Sequence, residues 1–503
     1  MNTPIVSSFF SHGHPSGLAP RERWQWGVLG VVLIGATMSA LDISIVNIAL
    51  PTIKREFGAR LALVEWVSMA YMMVLALALP IVGRLADIFG RSLLYNIGFG
   101  IFIVGSALCG LAPSAVALIL ARSLQAVGAA LLQANSVALI TQVFRNRELG
   151  RALGTQAAVQ AVAMALGPFI GAMLITFAGW RFIFYVNVPI GIVGAAVAHF
   201  VLPRYHANPV KQKIDYLGGA LLTAALTGLV LAVNTAQSRG WNSPHIPAEM
   251  TVGIACLAGF AIVELKAESP LIDLSIFRRY TLASGNVTAF LAYYVLFTVL
   301  FLLPFYFEDV LGYSTGFSGI MLTAIPLSMA VLAPVAGYAC DRLGSRRLTL
   351  AGSCLMALGS LLLIFASSTG EAALLVLEML MLGAGLGVFT PANNRMTMAA
   401  TPRDKLGVTG GLLNMMRALG VIFGIDVSGV VFVAASSGAA DGREPLQAAT
   451  LAFSSKLAFM DGFHMVMVSL AGLALLSAVF CYFRRNEAIT KISKLEESLL
   501  GEN

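Results

Sequence analysis

The sequence GRLADIFGR at residues 83–91 has a near copy, GYACDRLGSR, at residues 337–346. Three positions of the first stretch recur 254 residues later, and a Gly-x-x-x-Gly pattern that begins at Gly167 recurs 253 residues later at Gly420. Two different motifs that share nearly one offset indicate that the chain contains two duplicated halves. The recurring positions of the first motif are Gly83, Asp87 and Gly90 in one half and Gly337, Asp341 and Gly344 in the other.

The composition around these motifs excludes most classes of protein. Of 503 residues, 58% are hydrophobic and only 11% are charged. A soluble domain is about 45–50% apolar and about 25% charged. Too few polar side chains are available to cover a surface in water, so soluble globular, disordered and disulfide-framework classes are excluded. The surroundings of this chain must be mostly lipid.

The apolar residues occur in runs that are long enough to cross a bilayer as helices, which takes about 20 residues. The runs are continuous and do not alternate between apolar and polar residues, so they do not fit a β-barrel. The sequence therefore predicts an all-α integral membrane protein with fourteen transmembrane helices. The predicted spans are 26–50, 62–82, 93–111, 114–142, 153–177, 182–202, 216–236, 250–267, 284–307, 317–338, 348–368, 372–392, 408–434 and 463–483.

The distribution of Lys and Arg predicts the orientation. With the N-terminus inside, 23 of the 32 basic residues lie in inner loops and tails, 7 lie in outer loops, and Arg122 and Arg417 lie within spans. By the positive-inside rule, both termini are predicted to lie in the cytoplasm. The first residues have no basic start before an apolar core, so no cleavable signal peptide is predicted. The net charge of +7 thus reflects topology, and nucleic acid is not an expected partner.

The repeat and the span count together predict the domain organisation. Each half would contain six helices, with one additional helix pair inserted between them. The predicted divisions are a cytoplasmic N-terminal tail (1–25), an N-terminal six-helix half (26–203), a linker with inserted helices 7 and 8 (204–267), a C-terminal six-helix half (268–483) and a cytoplasmic C-terminal tail (484–503) that rests on the inner leaflet.

Five motifs, in this order along the chain, carry a resemblance to a known family. They are LDISIVNIALP (41–51), GRLADIFGR (83–91), RSLQAVG (122–128), GPFIG (167–171) and WRFIFYVNVPIG (180–191). The sequence resembles the major facilitator superfamily and, within it, the fourteen-span drug:proton antiporters. The resemblance implies a major facilitator-type fold of two pseudo-symmetric six-helix halves plus an inserted helix pair. It also implies multidrug efflux, and hence antibiotic resistance, as the activity.

The motif in the fifth span, Gly167-Pro168-Phe-Ile-Gly171, resembles the antiporter motif of that family. Small residues let a helix approach its neighbour closely, and proline lets it bend. Ala163 and Ala172 stand where the motif usually has glycine, and Ser44 stands where the first-helix motif usually has threonine. Tight packing at this helix would resist leakage, although ordinary helix packing explains the same residues.

Asp42 is the first candidate for proton coupling. A carboxylate at the centre of a membrane helix costs about 2.5–3.5 kcal/mol on insertion scales, so it must face protein or water. Arg122 in the fourth span needs a buried partner, and we expect it to bias Asp42 or a nearby carboxylate in one conformation only. Gln125 lies beside Arg122, and Gln133 lies on the same helical face. A permanent structural ion pair remains the alternative. Asn47 completes this predicted proton-coupling and substrate set.

The repeated motif predicts a gating loop rather than a chemical site. Glycine permits a tight turn, and Asp and Arg at short spacing can pair with neighbouring helix ends and lock one side of the membrane. Simple positive-inside anchoring would explain the arginines but not the repeated Asp and Gly. The predicted gating residues are Gly83, Asp87, Gly90, Arg91, Asp341, Gly344 and Arg346.

A second group of buried polar residues is predicted in the C-terminal half. Asp426 is a candidate second titratable or cation-attracting site, with a paired structural acid as the alternative. Arg417 lies nine residues before it, on the opposite side of the helix, so Arg417 needs another partner and Glu378 is a candidate. Asn393, Asn394 and Asn414 are expected to line a cavity.

The motifs that are missing limit the function further. The sequence has no GxxxxGK[ST] phosphate loop, no nucleophile–base arrangement and no metal-ligand spacing, so neither an enzyme nor a metal site is predicted. The expected function is proton-coupled antiport of hydrophobic or cationic compounds, with the proton gradient in place of any cofactor. Expected partners are small hydrophobic substrates, protons and membrane lipid, with a periplasmic adaptor as a further candidate. A uniporter or importer of a metabolite, and a membrane sensor or scaffold, are the alternatives.

Overall fold

A computed structural model of the chain describes residues 21–59, 61–144, 148–203, 215–239, 243–267, 270–272, 274–365, 371–436 and 456–484. The described residues form α-helices joined by short turns. The helices are α1 (Arg21–Phe57), α2 (Leu61–Phe89), α3 (Arg91–Leu111), α4 (Ala115–Val143), α5 (Leu149–Ala178), α6 (Phe182–Tyr185), α7 (Asn187–Val201), α8 (Tyr216–Arg239), α9 (His245–Lys266), α10 (Tyr280–Phe305), α11 (Thr315–Leu322), α12 (Ala324–Leu343), α13 (Ser345–Leu362), α14 (Ala372–Ala399), α15 (Leu406–Ser436) and α16 (Lys456–Tyr482).

Fourteen helical segments in the described residues are long and apolar enough to cross a membrane, which confirms the predicted number of spans. Many of their large apolar side chains point outward: Phe169 is 71% exposed and Phe177 is 83% exposed. A water-soluble protein would bury such side chains, since burying a phenylalanine stabilises the fold by about 1.5–3 kcal/mol. The chain is a multi-pass membrane protein whose outer surface is suited to lipid.

The packing of the helices repeats in the two halves. In the first half α1 packs against α5, α2 against α4, and α3 against α4 and α7. In the second half α10 packs against α15, α12 against α14, and α13 against α14 and α16. This equivalence confirms the two-halves architecture that the repeated motifs predict. The inserted helices α8 and α9 pack against each other, and α8 also contacts α2 and α15.

The two halves meet mainly through two equivalent contacts, α2 with α15 and α5 with α12, and α15 also contacts α4 while α5 contacts α14. The close approaches in these contacts lie at the end of the bundle that carries the Gly90 and Gly344 turns, which we call the loop side. Both glycines adopt a left-handed backbone conformation, with φ of 98° and 85°. A side chain at either position would be strained, which explains why glycine ends α2 and α12.

The helices differ from the predicted spans in several places. Helix α1 continues past Pro51 to Phe57, because a single proline removes one backbone hydrogen bond without preventing the flanking turns from forming. The sixth span is divided into α6 and α7, and the tenth is divided into α11 and α12 at Thr323. The predicted gating loop is mostly helical: residues 83–89 end α2, and only Gly90 forms the turn.

An apolar groove of about 870 Å³ lies between α2 and the inserted helix pair, and Ile81, Thr223 and Val252 are among its lining residues. The groove is lined by none of the predicted proton-coupling or gating residues. Several predicted segments fall outside the described residues: most of the N-terminal tail, the linker over residues 204–214, and the C-terminal tail beyond Arg484.

Candidate functional site

Asp42 on α1 is the centre of a buried polar cluster. Its carboxylate is fully buried. Oδ2 lies 2.5 Å from Nη1 of Arg122 on α4, and Oδ1 accepts hydrogen bonds from Gln125 (2.8 Å) and Asn187 (3.3 Å). The structure therefore brings Asp42, Arg122 and Gln125 together, as the sequence predicts, and adds Asn187 of α7.

Further contacts hold Arg122 in place. Its Nε donates to the backbone oxygen of Val67 at 3.4 Å, and its guanidinium carbon lies 4.0 Å above the centre of the Tyr71 ring. Gln125 bridges the pair, because its Oε1 accepts from Arg122 and its Nε2 donates to Ser106 at 2.8 Å as well as to Asp42. Asn187 lies in the WRFIFYVNVPIG motif, whereas nothing in the sequence distinguishes Tyr71 and Ser106 from other residues of their spans.

Two predicted members of this set lie elsewhere. Asn47 is exposed and accepts a hydrogen bond from Ser68 of α2 at 3.1 Å. Gln133 lies three turns beyond Arg122 along α4, in the direction of the loop side, and its backbone oxygen accepts from Asn414 of the other half at 3.0 Å. A shared helical face does not place two residues at the same depth, so neither residue belongs to the Asp42 cluster.

Each half contributes an aspartate to a lock on the loop side. Asp87 accepts hydrogen bonds from the backbone N–H groups of Gly407 (2.8 Å) and Val408 (2.9 Å), in the first turn of α15. Asp341 likewise accepts from Gly150 and Arg151, at the start of α5, both at 3.1 Å. A helix N-terminus carries a partial positive charge and unpaired N–H groups, so it suits a carboxylate. These two locks explain why the aspartate recurs in the second copy of the motif.

The arginines of the two locks differ. Arg91 donates to Asp87 at 2.7 Å and to the backbone oxygen of Arg403 at 3.0 Å. Arg346 does not contact Asp341: it donates to the backbone oxygen of Tyr482, at the C-terminal end of α16 in its own half. Arg91 follows its aspartate by four residues across the Gly90 turn, whereas Arg346 follows by five across the Gly344 turn. Arg395 on α14 pairs with Asp341 instead, at 2.9 Å.

Glycines allow the halves to touch at these locks. A Cβ atom added to Gly83 would lie 2.5 Å from the backbone oxygen of Gly407 and 3.2 Å from Cα of Val408. Both atoms belong to the backbone of α15 and cannot rotate away. The glycine in the repeated motif is thus required by the close approach of α2 and α15.

Gly83→Ala is expected to hold the loop side open. The added methyl group cannot fit while α2 and α15 are in contact, so the protein should populate the separated state. We expect faster labelling of Cys340 by a maleimide, because this thiol is fully buried while the halves touch. Gly100→Ala on α3 is the matched control, since no atom lies within 4 Å of its added Cβ. Equal labelling rates in both variants would contradict this role of Gly83.

The glycines of α5 pack against α1. A Cβ on Gly171 would lie 2.8 Å from Cγ1 of Ile45, and one on Gly167 would overlap Ser44. Pro168 lies between them inside the helix. Gly420 and Gly424 of α15 approach the backbone of α10 in the same way. Ala172 is exposed, so its departure from the family motif does not affect this packing.

Arg417 does not pair with Glu378, so that expectation is wrong. Its guanidinium donates to the side-chain oxygens of Asn394 and, at 3.3 Å, Asn414. Glu378 lies in the second turn of α14, near the end that is far from the loop side, whereas Arg417 lies in the first half of α15 as counted from the loop side. At a rise of about 1.5 Å per residue, the two differ by about 15 Å in depth. Asp426 is buried, and no hydrogen bond or ion pair connects it to another described residue.

Arg484 was assigned to the C-terminal tail, and the structure corrects this. Its side chain is fully buried and donates to Ser284 (2.8 Å), Thr288 (2.7 Å) and Asn393 (2.7 Å). Burial lowers the pKa of this guanidinium below its ordinary value. Asn393 was expected to line a cavity, but it is fully buried and joins α10 to α14 through this cluster.

Two equivalent helical bundles, joined at one side by matched carboxylate locks, form the architecture of membrane transporters built from parallel repeats. The comparison with protein families agrees with this class. The chain belongs to the Major Facilitator Superfamily, whose family model matches residues 32–425.

Several known proteins are similar to the chain. The riboflavin transporter RibZ of Clostridioides difficile is 33% identical over 405 residues, which cover 80% of this chain and 87% of RibZ. The multidrug resistance protein Stp of Mycobacterium tuberculosis is 32% identical over 418 residues, which cover 82% of this chain and 77% of Stp. The crystal structure of the human organic anion transporter MFSD10 aligns with a TM-score of 0.66 over 92% of this chain and all of that chain. At 15% identity, this last similarity shows the fold alone.

Proposed function

We propose that the chain is a proton-coupled antiporter that exports hydrophobic compounds by alternating access. The observation that carries this proposal is the buried Asp42–Arg122 pair, with its four side-chain contacts among Asp42, Arg122, Gln125 and Asn187. Intramembrane ionisable residues usually mark proton or substrate pathways. The similarity to a multidrug resistance protein supports export as the direction.

The geometry of the pair supports a specific coupling step. With the loop side closed, the Asp42 carboxylate accepts from three donors and has no exposed surface. A protonated Asp42 would lose the charge attraction to Arg122, so proton uptake and separation of the pair are linked. Coupled exchange then requires that the proton and the compound prefer different conformations, because a ligand shifts an equilibrium only by its differential affinity.

The distribution of basic residues supports an assignment of the side of the membrane that the locks face. Lys and Arg are concentrated in the loops of this side, which favours a cytoplasmic loop side and both termini in the cytoplasm. The protein would then lie in the cell membrane or inner membrane. On this assignment, the structure represents the state that is closed to the cytoplasm. Asp87 and Asp341 hold that state, and their release would open the path for loading from the cytoplasm or the inner leaflet.

A uniporter or importer of a metabolite is the second candidate. The similarity to a riboflavin transporter favours it, because the two relatives are almost equally similar to this chain. The fold is the same in both candidates, and they differ in whether transport requires a proton gradient. A periplasmic adaptor protein is a predicted partner only if the protein is an exporter.

Transport by purified protein in liposomes distinguishes the two candidates. With an imposed pH gradient, the antiporter should accumulate an aromatic dye, either the anion fluorescein or the cation rhodamine 123, against its concentration gradient, and an uncoupler should abolish this. A uniporter should instead equilibrate riboflavin at a rate that the uncoupler leaves unchanged. Flux of neither compound, with or without a gradient, would contradict both candidates.

A further inference from the structure

Arg417 is the buried cation in the middle of the bundle that has no carboxylate partner among the described residues. Arg122 is neutralised by Asp42 at 2.5 Å. Arg417 is 8% exposed, and its two hydrogen-bonded nitrogens face the neutral amides of Asn394 and Asn414. Its Nε has no hydrogen-bond partner in the described part of the chain. A guanidinium cannot release its charge, so this position carries a permanent positive charge inside the protein.

Arg417 lies where a transported compound is expected to bind. Arg417 lies about three helical turns from the loop-side end of α15. With a pitch of about 5.4 Å per turn, this depth is near the middle of a hydrocarbon core that is about 30 Å thick. Asn414, which Arg417 contacts, also donates to Gln133 of α4, so the group lies where the two halves meet. In transporters built from repeats, the substrate site lies at this interface near the midplane.

The surroundings of Arg417 favour a flat aromatic body. The guanidinium carbon lies 5.3 Å from the centre of the Tyr293 ring. Tyr293 stacks on Phe297 with an interplanar angle of 15° and a centroid distance of 6.3 Å, and both rings are partly exposed. Phe290 and Phe423 form a second ring contact at 6.2 Å beside them. A planar compound can stack on such rings while one polar edge reaches Arg417.

We infer that Arg417 determines substrate specificity by binding an anionic or carbonyl oxygen of a planar aromatic compound. The planar fork of a guanidinium matches a carboxylate, a phenolate or a pair of carbonyl oxygens, and its unpaired Nε–H supplies a donor that the asparagines leave unused. A cationic compound would meet like charge here. The expected class therefore differs from the cationic drugs that the family resemblance suggests. The inference rests on the proposed function, because it names the compounds that the exporter would carry.

Binding of two dyes to the purified protein in detergent tests this inference. Fluorescein and rhodamine 123 share the xanthene ring system but carry opposite charge. Wild-type protein is expected to bind fluorescein more tightly. Arg417→Gln should weaken fluorescein binding by about tenfold to a hundredfold, as expected for loss of a charge-assisted hydrogen bond, and should leave rhodamine 123 binding unchanged or tighter. Arg417→Lys keeps the charge without the planar fork, so its affinity for fluorescein should lie between those of the wild type and Arg417→Gln.

Arg342→Gln is the matched control, because it removes the same charge from an exposed position over Tyr338. Fluorescence-detected size exclusion shows whether each variant is folded, and Arg417→Lys replaces Arg417→Gln if the latter is not. Equal weakening of both dyes would assign Arg417 a structural role and overturn the inference. Tighter wild-type binding of rhodamine 123, or binding of neither dye, would also overturn it. The exporter proposal is decided separately, by gradient-driven flux.

Discussion

Asp42→Asn is expected to abolish gradient-driven transport while exchange of compound down its own gradient continues. The amide keeps the shape of the carboxylate but cannot load or release a proton. Its oxygen can still accept from Arg122, whereas its NH2 group then faces the amide donors of Gln125 and Asn187, whose side chains must turn over. The measurement is dye flux into liposomes with and without an imposed pH gradient.

Stability gives a second readout of the same site. Removing one partner of a buried ion pair costs about 3–5 kcal/mol, because the other charge is left unpaired. Asp42→Asn should therefore unfold at lower temperature than the wild type. Adding Arg122→Gln removes the unpaired charge, so the double variant should recover much of that stability but not the coupling. This difference separates a proton-carrying role from a purely structural ion pair.

Asp309→Asn is the control for both measurements, because Asp309 is an exposed acid beyond the end of α10. It should leave coupling and stability unchanged. Asp42→Asn protein that still concentrates dye against its gradient, at the wild-type level, would show that another group couples transport to protons. Asp426 would then be the next candidate, since it is buried and has no ion-pair partner among the described residues.

The features that the sequence predicts correctly depend on local composition. Hydropathy over about 20 residues depends little on the rest of the fold, so the number of spans could be predicted from it. The contacts of Asp87 and Asp341 with helix ends could be predicted for a similar reason, because equivalent positions in two duplicated halves meet equivalent helix ends. The Asp42–Arg122 contact was expected because two isolated opposite charges inside lipid must each find a partner.

The errors concern contacts between residues far apart in the chain. Arg395 of α14 pairs with Asp341, whereas Arg346, close to Asp341 in sequence, contacts the end of α16. Arg484 turns back into the bundle, where three neutral oxygens accept its hydrogen bonds, although its position after the last span suggested a tail. Such choices among neutral and charged partners depend on tertiary packing, which the order of residues along one helix does not reveal.

Asp87→Asn and Asp341→Asn are expected to open the loop side. Each carboxylate accepts two backbone N–H groups from a helix of the other half. Asparagine keeps one acceptor oxygen, so each variant loses about one hydrogen bond to a charged group. Such a bond contributes about 1.5–3 kcal/mol, so each variant should shift the closed-to-open equilibrium by about tenfold to a hundredfold. The two locks lie on separate helix pairs and share no residue, so their effects should add in the double variant.

Distances between spin labels on Phe89 and Leu343 measure this shift. The two residues occupy equivalent positions at the ends of α2 and α12, and they are 51% and 57% exposed. In a background without the five native cysteines, each single variant should show a second, longer distance, and the double variant should show mainly that distance. Asp309→Asn should keep the wild-type distribution. An unchanged distribution in the double variant would mean that helix packing at Gly83 and its equivalents, rather than the carboxylates, holds the halves together.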